Sequence, residues 1–179
     1  QMDAFSVRSH QRVRAAQDAG HLAAGGGEVE ALYDAKGKTY TLDDGVRSDA
    51  SVENLAKLKP FFDRKYGNVT PGNSSQITDG AAMLVIAAEE VVEEYRLKSL
   101  GRIVDANWGA LDPAEMGLGP VHAITPMLQR NRLGWDDIDA VEINEAFAAV
   151  VLAWAKELEP DMATVNPNGG AIALGHPLG

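Results

Sequence analysis

Two short stretches carry side chains able to do chemistry on a carbonyl. Val141-Glu142-Ile143-Asn144-Glu145-Ala146-Phe147-Ala148 reads as a short apolar strand that delivers Asn144 and Glu145 to the start of a helix. In layered α/β sheets, ligands collect at such strand ends. An Asn amide there can donate to a developing oxyanion, directly or through a water. It can equally cap the helix that follows. The second stretch is Asn166-Pro167-Asn168-Gly169-Gly170-Ala171-Ile172-Ala173-Leu174-Gly175-His176-Pro177. Gly169-Gly170 lets backbone come close to a neighbour. Pro177 keeps His176 out of helical geometry, so the imidazole is presented in a Gly-flanked bend. A His in that setting can serve as a general base, or be an incidental member of a surface turn. A third stretch, Asn73-Ser74-Ser75-Gln76-Ile77-Thr78-Asp79-Gly80, offers small hydroxyls either to a polar ligand or to a helix cap.

The chain has no cysteine. Disulfides, thiolate metal sites and a cysteine nucleophile within these residues are thereby excluded. His10 and His21 fall in or near a polar helix and are expected to be solvated. His122 has no second His at metal-ligand spacing, so no metal site is expected. The Glu89-Glu90 and Glu93-Glu94 pairs read as a solvated helix face. Gly25-Gly26-Gly27 lacks the Lys-Ser/Thr of a phosphate loop and reads as a surface turn.

Helices are expected over 1–19, ending near Gly20, and over 52–62, 88–98, 120–132 and 146–157. A hairpin is expected within 28–44 around Asp34-Ala35-Lys36-Gly37, and Asn68–Ser75 reads as loop. Thr78-Asp79 could cap a short helical start. Strands are expected at Ala82–Ala87, Gly101–Trp108 and Ala140–Ile143. The composition shifts near Ser75, from irregular and polar to alternating strands and helices. That pattern points to an α/β layered domain over 76–179, preceded by an irregular loop domain over 1–75.

At 179 residues, with 45% hydrophobic and 23% charged residues, the chain has the composition of a folded domain. Its net charge of −10 disfavours nucleic-acid binding and docking on an anionic membrane surface. The longest apolar run, Ala81–Ala88, falls far short of the roughly 20 residues of a membrane span. The chain opens on Gln1 rather than Met and closes on Gly175-His176-Pro177-Leu178-Gly179, so a piece of a longer protein is expected.

Taken in order, these segments resemble the thiolases, the acetyl-CoA C-acyltransferase family. Gln1-Met2-Asp3-Ala4-Phe5 with Ser9-His10-Gln11 is similar to the helix that opens the family's loop domain. Asn68–Ser75 with Thr78-Asp79-Gly80-Ala81-Ala82 is similar to the segment where that domain returns to the C-terminal half. Met116-Gly117-Leu118-Gly119-Pro120 resembles the family's Met-Gly-x-Gly-Pro. Asn144-Glu145-Ala146-Phe147-Ala148 and Gly169–Pro177 match two signature motifs. His122 stands where the family commonly has Pro, and one residue is inserted between Phe62 and Val69.

The resemblance implies a partial thiolase-like layered α/β fold and a role for each matched residue. His176 resembles the histidine that activates a nucleophilic cysteine and helps bind a thioester oxyanion. Asn144 resembles the residue that holds a water in the same oxyanion hole. Phe147 and Met116 resemble walls of the acyl pocket, and Ser75 the serine that hydrogen-bonds pantetheine. Arg47, Asn54, Leu55 and Phe62 fall at positions similar to those lining the CoA nucleotide and pantetheine. The implied reaction interconverts 3-ketoacyl-CoA plus CoA with acyl-CoA plus acetyl-CoA through a cysteine acyl-enzyme. Coenzyme A is substrate and product there, with no tightly bound cofactor. The implied cysteines lie upstream of Gln1 and downstream of Gly179. A homodimer or homotetramer and a β-oxidation multienzyme partner are also implied, while the lack of cysteine favours a cytoplasmic location. A CoA- or acyl-binding module without catalysis and a ketoacyl-synthase-type condensing enzyme are the alternatives.

Overall fold

The computed structural model describes residues 1–25 and 28–178; Gly26 and Gly27 of the expected glycine turn, and Gly179, lie outside them. The chain begins with helix α1, Met2–Asp18. Its buried stripe is Phe5, Ser6, Ser9, His10, Val13, Ala16 and Gln17, spaced three and four apart as one helix face requires. That stripe is half polar, so α1 packs through hydrogen bonds as well as through apolar contact. It ends where Gly20 takes φ +82, and the Gly20 and His21 N–H groups donate to Gln17 and Ala16 carbonyls.

Strands β1 (Leu32–Tyr33) and β2 (Thr39–Tyr40) form the expected antiparallel hairpin. Asp34 holds its turn by accepting from the Lys36 and Lys38 N–H groups at 2.8 and 2.9 Å. Helix α2 is only Val52–Leu55, capped by Ser51 and shorter than expected. Pro60 accounts for part of that, since it disfavours helix in the residue before it. The 68–75 loop is shaped by buried Asn73. Its side chain accepts from Thr70 N–H and donates to Asp3 and to the Asn68 carbonyl.

Helix α3 covers only Glu89–Glu94 of the expected 88–98. A 3-10 turn over Pro113–Leu118 leads into α4, Gly119–Asn131, where Pro120 sits in the first turn and the αL residue Arg132 ends the helix. Helix α5 is Ala148–Leu158 and the unforeseen α6 is Ala171–Leu174. The core forms where α1, α5 and α6 meet: Phe5, Ala148, Val151, Trp154, Val165 and Ile172. Trp135 packs edge-to-face on Trp154 and donates from its indole N–H to the Leu158 carbonyl.

Three strand expectations and one helical start need correction. Ala82–Ala87 and Gly101–Trp108 take no regular secondary structure and pair with no strand among the described residues. Met83, Val85, Val104 and Trp108 are each 80–90% exposed. A strand is held by a neighbour's ladder and by burial of its faces, and neither is at hand here. Ala140–Ile143 is reduced to a single parallel bridge between Val141 and Val165. Thr78-Asp79 starts no helix; no helix or strand lies between it and Glu89. His10, expected in solvent, is 4% exposed.

Candidate active site

The Ile143–Ala146 segment has no sheet beside it among the described residues, yet Ile143 and Ala146 find backbone partners. Val141 N–H donates to the Thr164 carbonyl, and Asn166 N–H returns to Val141. The Asn166 side chain then continues the ladder. Its Oδ1 accepts from Ile143 N–H at 2.8 Å, and its Nδ2 donates to the Ile143 carbonyl at 2.9 Å. An amide side chain thus reads the peptide edge as a strand neighbour would. Asn166 is buried and held at φ +47, a conformation that Asn tolerates better than most residues. Arg12 secures the same turn by donating to the Val165 and Asn166 carbonyls.

The next residues alternate. Asn144 is exposed and Glu145 is buried, the alternation that a period-2 segment shows. On the other side of the site, Gly170 and Gly175 flank α6, and His176 follows. Gly175 has φ +101, and a Cβ there would collide with the Thr78 side chain. His176 N–H donates to the Gln76 carbonyl at 3.3 Å. Gln76 Nε2 donates to the Gly45 carbonyl at 2.8 Å. The 76–80 segment therefore clamps the His176 bend against the loop that carries Arg47.

Asn144 and His176 meet. The Asn144 amide nitrogen stands 3.1 Å from both Nδ1 and Nε2 of His176. Equal distances to both ring nitrogens put the amide over the ring rather than on one lone pair. Asn144 is exposed and His176 half-buried, so an oxygen can approach the pair from the solvent side. A carbonyl oxygen there could accept from the amide and from an imidazole N–H. Ser75 lies beside them: its N–H donates to the Ala146 carbonyl, and Ser74 bridges Phe147.

Phe147, Met116 and Phe62 line one apolar cavity of about 440 Å³, together with Val69, Leu118 and Ala153. Phe62 packs edge-to-face on Phe147, with ring centroids 6.2 Å apart. Glu142 points away from this cavity into a smaller one of about 210 Å³, and burial, with Glu145 nearby, pushes its carboxyl up.

The remaining residues singled out from sequence are spread along the loop region. Arg47 is exposed, and its N–H donates to Nδ1 of His10 at 3.2 Å. Burial, and then the Arg47 charge, hold His10 below the usual imidazole range. Asn54 is exposed, donating to the Asp49 carbonyl and accepting from Lys57. Leu55 is 4% exposed, enclosed where Gly72 has no Cβ, so it supports this surface from below. Exposed Lys57, Lys59, Arg64 and Lys65 follow Arg47 in the same stretch.

Sequence reasoning passed over the groups that hold the site: Ser9, Gln76, Asn166 and the side chain of Glu145. A carboxylate directly after a site residue was the one local signal. Its partners come from distant positions that no spacing rule connects. Among the described residues, no group of three His, Asp or Glu could hold a metal ion. Among the same residues, no helix is long and apolar enough to cross a membrane.

Residues 1–90 match the family model "Thiolase, N-terminal domain", and residues 97–179 match "Thiolase, C-terminal domain". The mitochondrial 3-ketoacyl-CoA thiolase of Homo sapiens is 42% identical over 99% of this chain. A steroid 3-ketoacyl-CoA thiolase of Mycobacterium tuberculosis is 44% identical over the whole of it. The dimeric peroxisomal thiolase of Saccharomyces cerevisiae superposes with a TM-score of 0.93 at 38% identity. The human mitochondrial 3-ketoacyl-CoA thiolase in complex with CoA does so at 0.92 and 42%. Each of these two structures matches over 99% of this chain and 44% of its own. The chain spans 42–44% of the length of the two relatives. These superpositions carry the layered α/β expectation; the chain's own described strands are only the hairpin pair.

Proposed function

The chain belongs to the thiolase family, and from that premise we propose that the complete polypeptide is a thiolase acting on 3-ketoacyl-CoA and CoA. In this reading a cysteine outside this chain attacks the ketone carbonyl of 3-ketoacyl-CoA. The C–C bond breaks, a second cysteine, also outside this chain, protonates the enolate so that acetyl-CoA leaves, and its thiolate then takes the proton of the CoA thiol as that thiol takes the acyl group from the first cysteine. The observation that carries the proposal is the meeting of Asn144 and His176 at 3.1 Å. His176 takes the thiol proton and, with Asn144 acting directly or through a water, donates to the thioester oxygen on which negative charge develops. Phe147, Met116 and Phe62 enclose the acyl chain, whose apolar surface matches their cavity. Ser75 hydrogen-bonds pantetheine. Arg47 faces the CoA phosphates, with Asn54 beside it and Leu55 beneath.

The division into a loop domain over 1–75 and a C-terminal domain over 76–179, homo-oligomeric assembly, a β-oxidation multienzyme partner and cytoplasmic residence belong to the same proposal. One relative is described as dimeric, while mitochondrial and peroxisomal forms occur among the matches. Cell fractionation tests the location.

This chain alone supplies no nucleophile, so it is expected to be inactive. The deciding experiment is thiolysis of acetoacetyl-CoA by the complete polypeptide. Asn144→Ala and His176→Ala are each expected to lower kcat by roughly 10²–10³-fold. CoA binding without turnover in the wild type would make the protein a binding module. Turnover only with an acyl carrier protein would make it a condensing enzyme.

A further inference from the structure

We propose that Glu145 is a positioning residue, the buried carboxylate that holds Asn144 against His176; this rests on the reading of that pair as thioester-oxygen donors. Glu145 is 1% exposed. It directly follows exposed Asn144 outside any helix, and the two neighbouring side chains lie one inward and one outward, as in a non-helical segment. Fixing the direction of Glu145 therefore fixes the direction of Asn144.

Three donors fix it. The Ser9 hydroxyl donates to Oε2 at 2.5 Å, and Ile172 N–H donates to the same oxygen at 3.2 Å. Asn166 Nδ2 donates to Oε1 at 2.9 Å. Ser9 also accepts from Gly170 N–H at 3.1 Å, so one hydroxyl joins α1, Glu145 and the start of the segment that ends in His176. Gly170 closes directly on the carboxylate. A Cβ there would lie 2.5 Å from the carboxyl carbon, so the approach is open only to glycine. One side chain thus links the peptide that carries Asn144 to the loop that carries His176.

The chemistry requires a carboxylate rather than any buried acceptor. Donors approach both oxygens, and an ionised carboxylate is an acceptor on both. Glutamine of the same shape offers one oxygen and one N–H2. With its oxygen toward Ser9 and Ile172, its N–H2 faces the Asn166 N–H2. Asn166 cannot flip to answer, because its two ends already hold the Ile143 N–H and C=O. Glu145→Gln therefore releases one end of the link while changing the volume very little.

The test is steady-state thiolysis by the complete polypeptide, in a cycle with Asn144→Ala. Glu145→Gln is expected to lower kcat by roughly 10²-fold, as misplacement of a reacting group does. The KM for CoA should change by less than about threefold. In the Asn144→Ala background the further loss should be less than about threefold, because the group being positioned is gone. A purely structural role would reduce the active fraction by the same factor in both backgrounds, and equal losses would overturn the proposal. So would an unchanged kcat in Glu145→Gln. Should that variant fail to fold, Ser9→Ala keeps the carboxylate and two of its donors. It is expected to lose kcat about tenfold with the same dependence on Asn144, and additive losses there overturn the proposal equally. If Asn144→Ala and His176→Ala themselves retain full activity, the underlying reading of the pair is what fails.

Discussion

The segment around Ile143 and the segment around Val85 are both short and apolar and both lie outside helices, yet only the first is held in place. Ile143 has its N–H and C=O taken by the Asn166 side chain, and the residues after it are anchored through Glu145. Val85 is 89% exposed, and its neighbours have no strand beside them among the described residues. The difference lies in what each needs from the rest of the fold. A polar network of a few side chains can fix a short segment locally. A central strand needs neighbouring strands on its edges and layers on its faces. The site residues sit on the self-sufficient kind of segment.

The largest effect expected on this contrast comes from its packed side. Trp154 is 1% exposed, meets Trp135 edge-to-face and fills the junction of α1, α5 and α6. Trp154→Ala is expected to cost about 3–5 kcal/mol, read from urea unfolding of the complete polypeptide. A loss below about 1 kcal/mol would show that the α1–α5–α6 junction does not anchor the site.

Sequence patterns revealed the parts of the fold that are decided locally. Helices α1, α4 and α5 and the 32–40 hairpin follow from periodicity, Pro120 and the Asp34–Gly37 turn. Asn144 and His176 stood out because their surroundings are unusual for a loop. Ser9, Asn166 and the Glu145 carboxylate did not, because a Ser in a helix and an Asn before Pro look ordinary until a partner far along the chain is known. The burial of His10 was missed for the same reason: its partner is the backbone of Arg47. The two failed strands mark the opposite limit. Ala82–Ala87 and Gly101–Trp108 have strand composition, but composition cannot supply the neighbour that makes a strand.

An intermediate effect sharpens the other side of the contrast. Ile86 is 75% exposed in this chain, so Ile86→Lys should leave the stability of the 179-residue chain within about 0.5 kcal/mol. The same change should reduce self-association of that chain, since Met83-Leu84-Val85-Ile86 is an open apolar edge. In the complete polypeptide, Ile86→Lys is expected to cost more than about 2 kcal/mol, the scale of an unpaired charge forced under cover. Light scattering and urea midpoints on both proteins check this. Equal, small effects in both would mean that the strip stays open in the whole protein.

The smallest effect is a pH dependence on the packed side. His10 is held below the ordinary imidazole value, first by burial and then by the Arg47 charge, with Asp49 opposing. Its Nδ1 accepts from Arg47 N–H, which requires that nitrogen to be unprotonated. Above the ordinary value of about 6.5 the ring is neutral whether the chain is folded or not, and His10 adds no pH dependence. Below it the unfolded chain takes up the proton first, so stability falls as pH drops toward the folded-state value. The slope cannot exceed about 1.4 kcal/mol per pH unit for one group. His10→Asn keeps an acceptor near Nδ1 and removes the titration. Urea midpoints of wild type and variant should therefore diverge between about pH 7 and pH 5, with the variant flatter. Parallel curves would mean that the Arg47 loop is held independently of His10, and that the clamp from Gln76 to Gly45 suffices on its own.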